Sequence, residues 1–404
     1  MENVLVINQF SSSKYLSDIL TNNNIQSTAL YTVDFSKTYN YLKPQETLFS
    51  EQIILTSAIV EDIVESLKGR KFDYVICGSE GFVDLTDSLA AILTPKFANN
   101  PLTSSWRDDK IKMHMRLSDV NLPHIKQYKV NMDNYSLDVK NYDFPMFIKP
   151  LNGAGSIGAQ RINSLLELEN YLETASGINQ LGNEVENFVL SELITGDEYM
   201  IDCFSSNGSH YIATIQKYQK ENVNGFPKYL SCEVEYNQNK LEKITKYVND
   251  VLNATEFKNG FSHLECFYTK DGEVILIEIN PRISGMQGLC HIIANNSGQL
   301  SQIDIMLSEI FAINVSNVKQ SSFAKMLWLY NGGHNVMPNL NEYNLSAYGV
   351  CYLSQLIKPG AMSNAVICSA ADAAAVVIVS ARSETELLQC IDFIRNLDES
   401  SWKF

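Results

Sequence analysis

The sequence is short of basic residues, has no closely paired cysteines and has no long apolar run. Each shortage argues against a class of function. Lysine and arginine number 31 against 46 aspartates and glutamates, a net charge of -15 over 404 residues. A protein that binds by neutralising a phosphate backbone needs the opposite balance, so nucleic acid is not an expected partner, although a small, locally basic nucleotide site remains open. No stretch approaches the roughly 20 apolar residues of a membrane helix, so no membrane association is expected. The opening MENVLVINQF carries Glu2 and no basic n-region, and reads as a first strand rather than a signal peptide. The eight cysteines (Cys77, Cys203, Cys232, Cys266, Cys290, Cys351, Cys368 and Cys390) form no Cys-x-x-Cys pair. They are expected as free thiols of a reducing cytoplasm rather than as disulfides or zinc ligands.

Two nucleotide signatures are also missing. After the first strand the chain reads Gln9-Phe10-Ser11-Ser12-Ser13, without the Gly-x-Gly-x-x-Gly of dinucleotide folds, which argues against a nicotinamide dehydrogenase. No glycine-rich loop closes on Gly-Lys-Ser/Thr either. What is present is an ordinary globular mix, 45% hydrophobic and 19% charged, long enough for two to three domains.

Apolar runs at 3–8 and 73–78, followed by amphipathic stretches through Leu20 and over Leu85–Leu93, predict alternating strands and helices of a small parallel α/β domain, with a serine as the first helix cap. Residues 96–109, with Asn99, Asn100, Pro101 and Ser104-Ser105, read as a linker. A helix from Lys110 to about Val120 follows, carrying Lys110, Lys112 and Arg116; taken alone it is a solvated basic face.

Residues 145–158 run Pro-Met-Phe-Ile-Lys-Pro-Leu-Asn-Gly-Ala-Gly-Ser-Ile-Gly. A strand delivers Lys149, and Gly153, Gly155 and Gly158 bracket Ser156. Glycines let backbone N–H groups converge on a phosphate, and a serine hydroxyl adds a donor.

Two hairpins can be read by register. Lys270-Asp271-Gly272 lies between two apolar-rich runs, and a two-residue Asp271-Gly272 turn sets Glu265 directly opposite Glu278 and His263 opposite Asn280. Facing carboxylates repel, and a bound cation removes the conflict; magnesium, an oxygen-seeking ion, suits them. Period-two alternation then lines up Glu278, Asn280 and Arg282 on one face, a carboxylate, a neutral oxygen and a guanidinium in order. The competing reading is a polar outer face with Arg282 neutralising Glu278. In the second hairpin, an Asn207-Gly208 turn sets Glu198 opposite Lys217, either as an ion pair or as part of a site.

In this order the pieces resemble the ATP-grasp superfamily, and within it the carboxylate–amine ligases of the L-amino acid ligase-like branch. The match covers about residues 100–310: Lys110, Lys149 with Gly153–Gly158, Glu192 to Glu198, then Glu265 and Glu278-x-Asn280-x-Arg282. The resemblance implies an ATP-grasp fold, α/β and α+β, with an N-terminal α/β domain (1–105), the ATP-grasp region (106–315) and a small C-terminal domain (316–404) completing the core. It implies ATP as the nucleotide. Lys110 and Lys149 would contact its phosphates, Gly155 and Ser156 would close over them, Glu192, Leu193 and Ile194 would read the adenine, and Glu198 would hold the ribose. Glu265, Glu278 and Asn280 would bind two Mg2+ ions, with Mn2+ as a substitute, and Arg282 would stabilise an acylphosphate. Ser284 and Gly285 lie in a turn that would offer backbone N–H groups to the substrate. His263 would act on the amine or orient the metal ligands.

The implied reaction joins a small-molecule carboxylate, an amino acid, to an amine and releases ADP and phosphate, an amide-forming biosynthetic step. Its alternatives are the same chemistry on an amine or thiol carried by a protein, or a silent ATP-binding regulator; a homodimer is common in the resembled branches. The loop lacks the longer glycine run of biotin carboxylases, and Ser191 stands where the family often has a first glutamate, so Glu192 is the one acid there.

Overall fold

Short apolar runs separated by helices make the first hundred residues a parallel sheet. β1 (Asn3–Ile7) is buried on both faces, as its unbroken Val-Leu-Val-Ile requires. With β2 (Gln26–Tyr31), β3 (Glu51–Ile54) and β4 (Tyr74–Cys77) it forms a four-stranded sheet in the order β3-β2-β1-β4. Helix α1 (Ser13–Asn22) connects β1 to β2 and α2 (Val60–Ser66) connects β3 to β4, while α3 (Val83–Leu93) follows β4. The computed structural model describes residues 2–10, 12–32, 49–137, 139–151, 158–175, 177–178, 184–223, 226–285, 288–315, 323–333, 335–364 and 370–402. Ser12 stands at the α1 N-cap, but its side chain makes no cap bond. Its hydroxyl donates instead to the carbonyls of Ser284 and Gly285, across the molecule.

The stretch read as a linker is a packed joint. It winds through 3-10 turns at Pro95–Phe97 and Pro101–Thr103 into the one-turn helix α4 (Ser105–Asp108). Arg107, 0% exposed, donates to Asp87 (2.7 Å) on α3, to the Thr103 hydroxyl (3.0 Å) and to the Thr255 carbonyl (2.7 Å). Asn99 bonds both Asp87 and the backbone of Lys258 and Asn259. The asparagines and serines that suggested a loop are there to satisfy a buried ion pair.

α5 (Lys110–Asp119) leads into an antiparallel sheet in the order β5-β10-β6-β7, from β5 (Gln127–Val130), β6 (Met146–Pro150), β7 (Gln160–Ile162) and β10 (Phe188–Glu192). α6 (Leu165–Thr174) buries Leu168, Tyr171 and Leu172 against it, and a two-stranded ribbon, β8 (Gly177–Ile178) with β9 (Glu184–Val185), stands apart.

The largest sheet has eight strands in the order β15-β14-β11-β12-β13-β16-β18-β17. They are β11 (Gly196–Ser206), β12 (Ser209–Val223), β13 (Phe226–Val234), β14 (Gly260–Thr269), β15 (Val274–Asn280), β16 (Phe323–Leu329), β17 (Val350–Gln355) and β18 (Ala375–Ala381). The last three come from the C-terminal segment and join through β13 and β16. α7 (Gln238–Ala254) covers one part of the sheet with Ile244, Tyr247, Val248, Val251 and Leu252, an i, i+3, i+4, i+7, i+8 stripe. Each such buried aliphatic contributes about 1.5–3 kcal/mol of hydrophobic stabilisation. α8 (Leu289–Asn296) and α9 (Gln302–Phe311) follow the strand carrying Glu278, and α10 (Glu384–Glu399) packs on β16 and β18. No helix among the described residues is long and apolar enough to cross a membrane. The described cysteines are free thiols; Cys368 lies outside the described residues.

Candidate active site

α5 and β15 are stapled together, and the staple positions the site. Asp109 caps α5 by accepting the N–H groups of Ile111 and Lys112. Lys110, Met113, His114 and Leu117 then fall on one helical face. Met113, His114 and Leu117 are buried, while Lys112 is exposed. β15 is an edge strand with a bulge: Cys266 pairs with Leu276, Glu265 with Glu278, and Ile277 is the extra residue. α5 meets the groups around it. His114 Nε2 lies 3.2 Å from the Ile277 carbonyl, and the Ile279 N–H donates to Met113 Sδ at 3.3 Å. The Ile125 N–H donates to His114 Nδ1 (3.1 Å), so Nε2 carries the ring proton. Burial takes His114 down to about 4 and keeps it neutral.

The β14–β15 register is the one expected, Glu265 opposite Glu278 and His263 opposite Asn280, but the turn is not. Thr269 N–H donates to the Glu273 carbonyl, and Lys270-Asp271-Gly272 form a three-residue loop with Gly272 at φ +79°. The longer loop shifts the strands by one residue, and the bulge at Ile277 shifts them back. Arg282 lies beyond the end of β15, its N–H bonded to the Asn280 carbonyl.

Two rows of partners cross the sheet side by side: Asp202, His263 and Asn280, then Met200, Glu265 and Glu278. Lys149 Nζ reaches Glu278 at 2.9 Å and Lys110 Nζ at 3.5 Å. Burial works against a charge on Glu278, yet the two lysines hold its carboxyl well below the usual range. His263 Nδ1 bonds Asp202 at 2.7 Å, and Nε2 lies 3.9 Å from Glu265. Burial opposes the imidazolium, and these two carboxylates outweigh it, pushing His263 up to about 10.

The second hairpin has the expected Asn207-Gly208 turn, both residues at positive φ, but not the expected far end. A bulge between Asp202 and Cys203 on one strand and Ile212 and Thr214 on the other sets Lys217 opposite Tyr199. The expected Glu198–Lys217 pair is therefore replaced. Lys217 bonds Asp197 at 2.8 Å, and Glu198 accepts from Lys220. Lys220 Nζ sits 4.6 and 4.3 Å from the ring centroids of Tyr218 and Tyr229. Burial raises the Glu198 carboxyl against the pull of Lys220.

In the antiparallel sheet, Lys149 lies on β6 opposite Val189, and Glu192 ends β10 opposite Met146. Glu192 Oε1 accepts the Lys126 N–H at 2.8 Å. Leu193 and Ile194 link β10 to β11. Gly155 and Ser156 lie outside the described residues; Gly158, at φ +76°, accepts from the Tyr171 hydroxyl at its carbonyl.

Beyond the sheet, Arg282 is ion-paired with Glu80, which follows β4, and also donates to the Ile283 carbonyl at 3.0 Å. Burial lowers Arg282 to about 10, still charged at neutral pH. The Ser284 N–H already donates to Gln302 Oε1 (3.1 Å), and the carbonyls of Ser284 and Gly285 accept from Ser12, so Ser284 has no spare backbone donor for a substrate.

Sequence reasoning missed Glu80, Asp202, Lys220 and His114. Lys220 had a readable signal, two residues from Tyr218 on one strand face. Glu80 had none, because its partner lies 202 residues away. Among the described residues no group of three or more histidine, cysteine, aspartate or glutamate side chains is gathered as a metal site. Glu265, Glu278 and Asn280 supply two carboxylates and an amide oxygen, a hard-oxygen set that fits magnesium when phosphate and water complete it.

Residues 142–291 match the ATP-grasp domain family. The fold of the chain is the ATP-grasp fold. The chain is similar to dapdiamide A synthase of Enterobacter agglomerans, 25% identical over 58% of this chain and 56% of that protein. It is also similar to the L-arginine-specific L-amino acid ligase of Bacillus subtilis, 24% identical over 55% and 54%. The matches thus span about half the length of these curated relatives. The structure of an L-amino acid ligase from Bacillus licheniformis superposes with a TM-score of 0.75 over 99% of this chain and 98% of that one, at 18% identity. An ADP complex of N5-carboxyaminoimidazole ribonucleotide synthetase follows the same fold, with a TM-score of 0.70 over 98% of both chains at 13% identity.

Proposed function

We propose that the protein is an ATP-dependent carboxylate–amine ligase whose acid substrate is an amino acid. The observation that carries this reading is the Glu265–Glu278 pair with Lys110 and Lys149 converging on Glu278, set inside an ATP-grasp domain. Two lysines on one carboxylate are cations held ready for a polyphosphate. When ATP arrives, Lys110, Lys149 and Lys220 turn to its phosphates, Glu192 accepts from the adenine amino group, the backbone of Leu193 and Ile194 reads the ring edge, and Glu198 holds the ribose. Gly155 and Ser156 belong to the loop that covers the phosphates. Glu265, Glu278 and Asn280 hold Mg2+, which when bound neutralises charge on the transferring phosphate.

The substrate carboxylate then attacks the γ-phosphorus and ADP leaves, giving an acylphosphate. The amine, having given one proton to solvent, attacks the acyl carbon; the C–N bond forms, the C–O bond to phosphate breaks, and the departing phosphate takes the second proton from the nitrogen. Arg282 balances the charge of the acylphosphate. The side chains position the reactants and neutralise charge, and none forms a covalent intermediate. The imidazolium of His263, fixed by Asp202, keeps Glu265 aimed at the metal position. None of the relatives above is named for a carrier-bound substrate.

The test is an ADP-release screen with Mg-ATP against pairs of amino acids, with Glu278→Gln as control. A signal that needs both partners and is lost in the variant establishes the ligase. ADP release that needs no second substrate, or survives Glu278→Gln, overturns the reading.

A further inference from the structure

The contact between Arg282 and Glu80 joins the site strand to the N-terminal sheet, and no step above uses Glu80. We propose that Glu80 is a second substrate-binding carboxylate: it occupies the anion position on Arg282 in the empty site, yields it to the acylphosphate, and then binds the ammonium group of the amine substrate. The inference rests on the ligase reading.

Glu80 is aimed, not incidental. Gly78 lets the exit of β4 press against the exit of β1; a Cβ there would meet the Ile7 carbonyl at 2.5 Å and Gln9 Cα at 2.6 Å. Gly81, at φ +78°, turns the chain back, and its N–H is held by the carboxyl of Asp108. Glu80, between these two anchors, projects to Arg282, and both side chains are about four-fifths buried. A buried guanidinium needs a counter-ion in every state. An acylphosphate on Arg282 supplies one, and Glu80 beside it is then repelled.

The place Glu80 retreats to is set by topology. In the order β3-β2-β1-β4 the chain crosses to opposite sides of β1, so the crevice at the carboxyl ends of β1 and β4 is the switch point where such sheets bind ligands. Gln9 leaves β1 at that crevice, 1% exposed, and its Oε1 is a buried acceptor with no partner among the described residues. A carboxylate and an amide oxygen call for a ligand rich in N–H donors, and an ammonium group has three.

Two measurements decide it. The first needs no turnover: inorganic phosphate is titrated into the MgADP-bound protein. Glu80→Gln, which frees Arg282, is expected to bind phosphate on the order of tenfold more tightly than the parent chain. The second uses a substrate pair found by ADP release. Glu80→Gln is expected to raise KM for the amine on the order of tenfold and leave KM for the acid unchanged or lower, with Glu80→Asp restoring part of the amine affinity. Unchanged or weaker phosphate binding in a Glu80→Gln protein that melts cooperatively overturns the proposal. So does an equal rise in both KM values. If no amino-acid pair gives ADP release, the ligase reading fails, and the phosphate titration still judges the hold of Glu80 on Arg282.

Discussion

Two long hairpins of the eight-stranded sheet, β11–β12 and β14–β15, each carry one bulge and use it differently. In β14–β15 the bulge lies on the edge strand at Ile277, where α5 bonds the neighbouring carbonyl and N–H. In β11–β12 it lies inside the sheet, flanked by β14 and β13. The first bulge keeps a constellation in register: Glu265 faces Glu278, and Lys110 is drawn to them by the same helix that covers the edge. The second redistributes partners, giving Lys217 to Asp197 and leaving Lys220 for Glu198. A bulge re-aims side chains without adding an element, and a covering helix turns it from a weak point into an anchor.

The largest expected effects separate the two hairpins by function. Glu278→Gln should cut ADP release by about a thousandfold or more, since it removes the charge that both lysines share and that the proposed Mg2+ site requires. Glu198→Gln should raise KM for ATP about tenfold at nearly constant kcat, since in the proposed role it weakens one hydrogen-bond acceptor of a substrate held equally in ground and transition states. Steady-state kinetics of the two variants decide the matter. Equal losses of kcat in both would mean that the hairpins form one undivided site.

The anchor itself can be removed. His114→Phe leaves the Ile277 carbonyl and the Ile125 N–H without their partner, and should destabilise the protein by about 2–4 kcal/mol. It should also alter the pH dependence of stability. The folded value of His114 is about 4, below the roughly 6.5 of an unfolded histidine. Between these values the unfolded chain takes up a proton that the folded chain refuses, so this contribution falls as pH falls, with a slope of at most about 1.4 kcal/mol per pH unit. Urea unfolding at pH 7, 6 and 5 checks it: the stability gap between parent and variant should narrow towards pH 5. A constant gap would mean that folding leaves the affinity of the ring for its proton unchanged, and a widening gap that the ring is protonated in the fold.

The same hairpins show what the sequence made legible. Glu265 opposite Glu278 was readable, although through two compensating shifts, a turn one residue longer than Asp-Gly implies and a bulge that returns the register. The identical reasoning at Asn207-Gly208 had the right turn and the wrong ion pair, because there only the bulge intervened. Local chemistry marks turns and strands, while a bulge is dictated by what packs beside it, here Met113 and His114, more than 160 residues away in sequence. The joint at 96–109 failed for a related reason. Asn99, Ser104 and Arg107 have loop-like composition, and nothing local announces that Asp87 and Asn259 will bury them. The Arg282–Glu80 pair was invisible because it forms only once two sheets are docked.

The smallest expected effects test whether the turns matter to the site at all. Gly208 and Gly272 have φ of +82° and +79°, so alanine at either should cost about 1 kcal/mol of backbone strain. A Cβ on Gly208 points into open space, whereas one on Gly272 would meet Lys243 Nζ at 2.7 Å. That ammonium also donates to the Gly272 carbonyl at 3.2 Å, so Gly272→Ala should cost a few tenths of a kcal/mol more, as about that much weakening of an exposed bond. Denaturant midpoints rank the two. Gly208→Ala should leave ADP release unchanged, because the bulge between its turn and Glu198 takes up small shifts of register. A fall in turnover in a Gly208→Ala protein of near-parental stability would mean that strain at the turn reaches Asp202 and His263 through an unbroken strand, and that this bulge transmits what the anchored one absorbs.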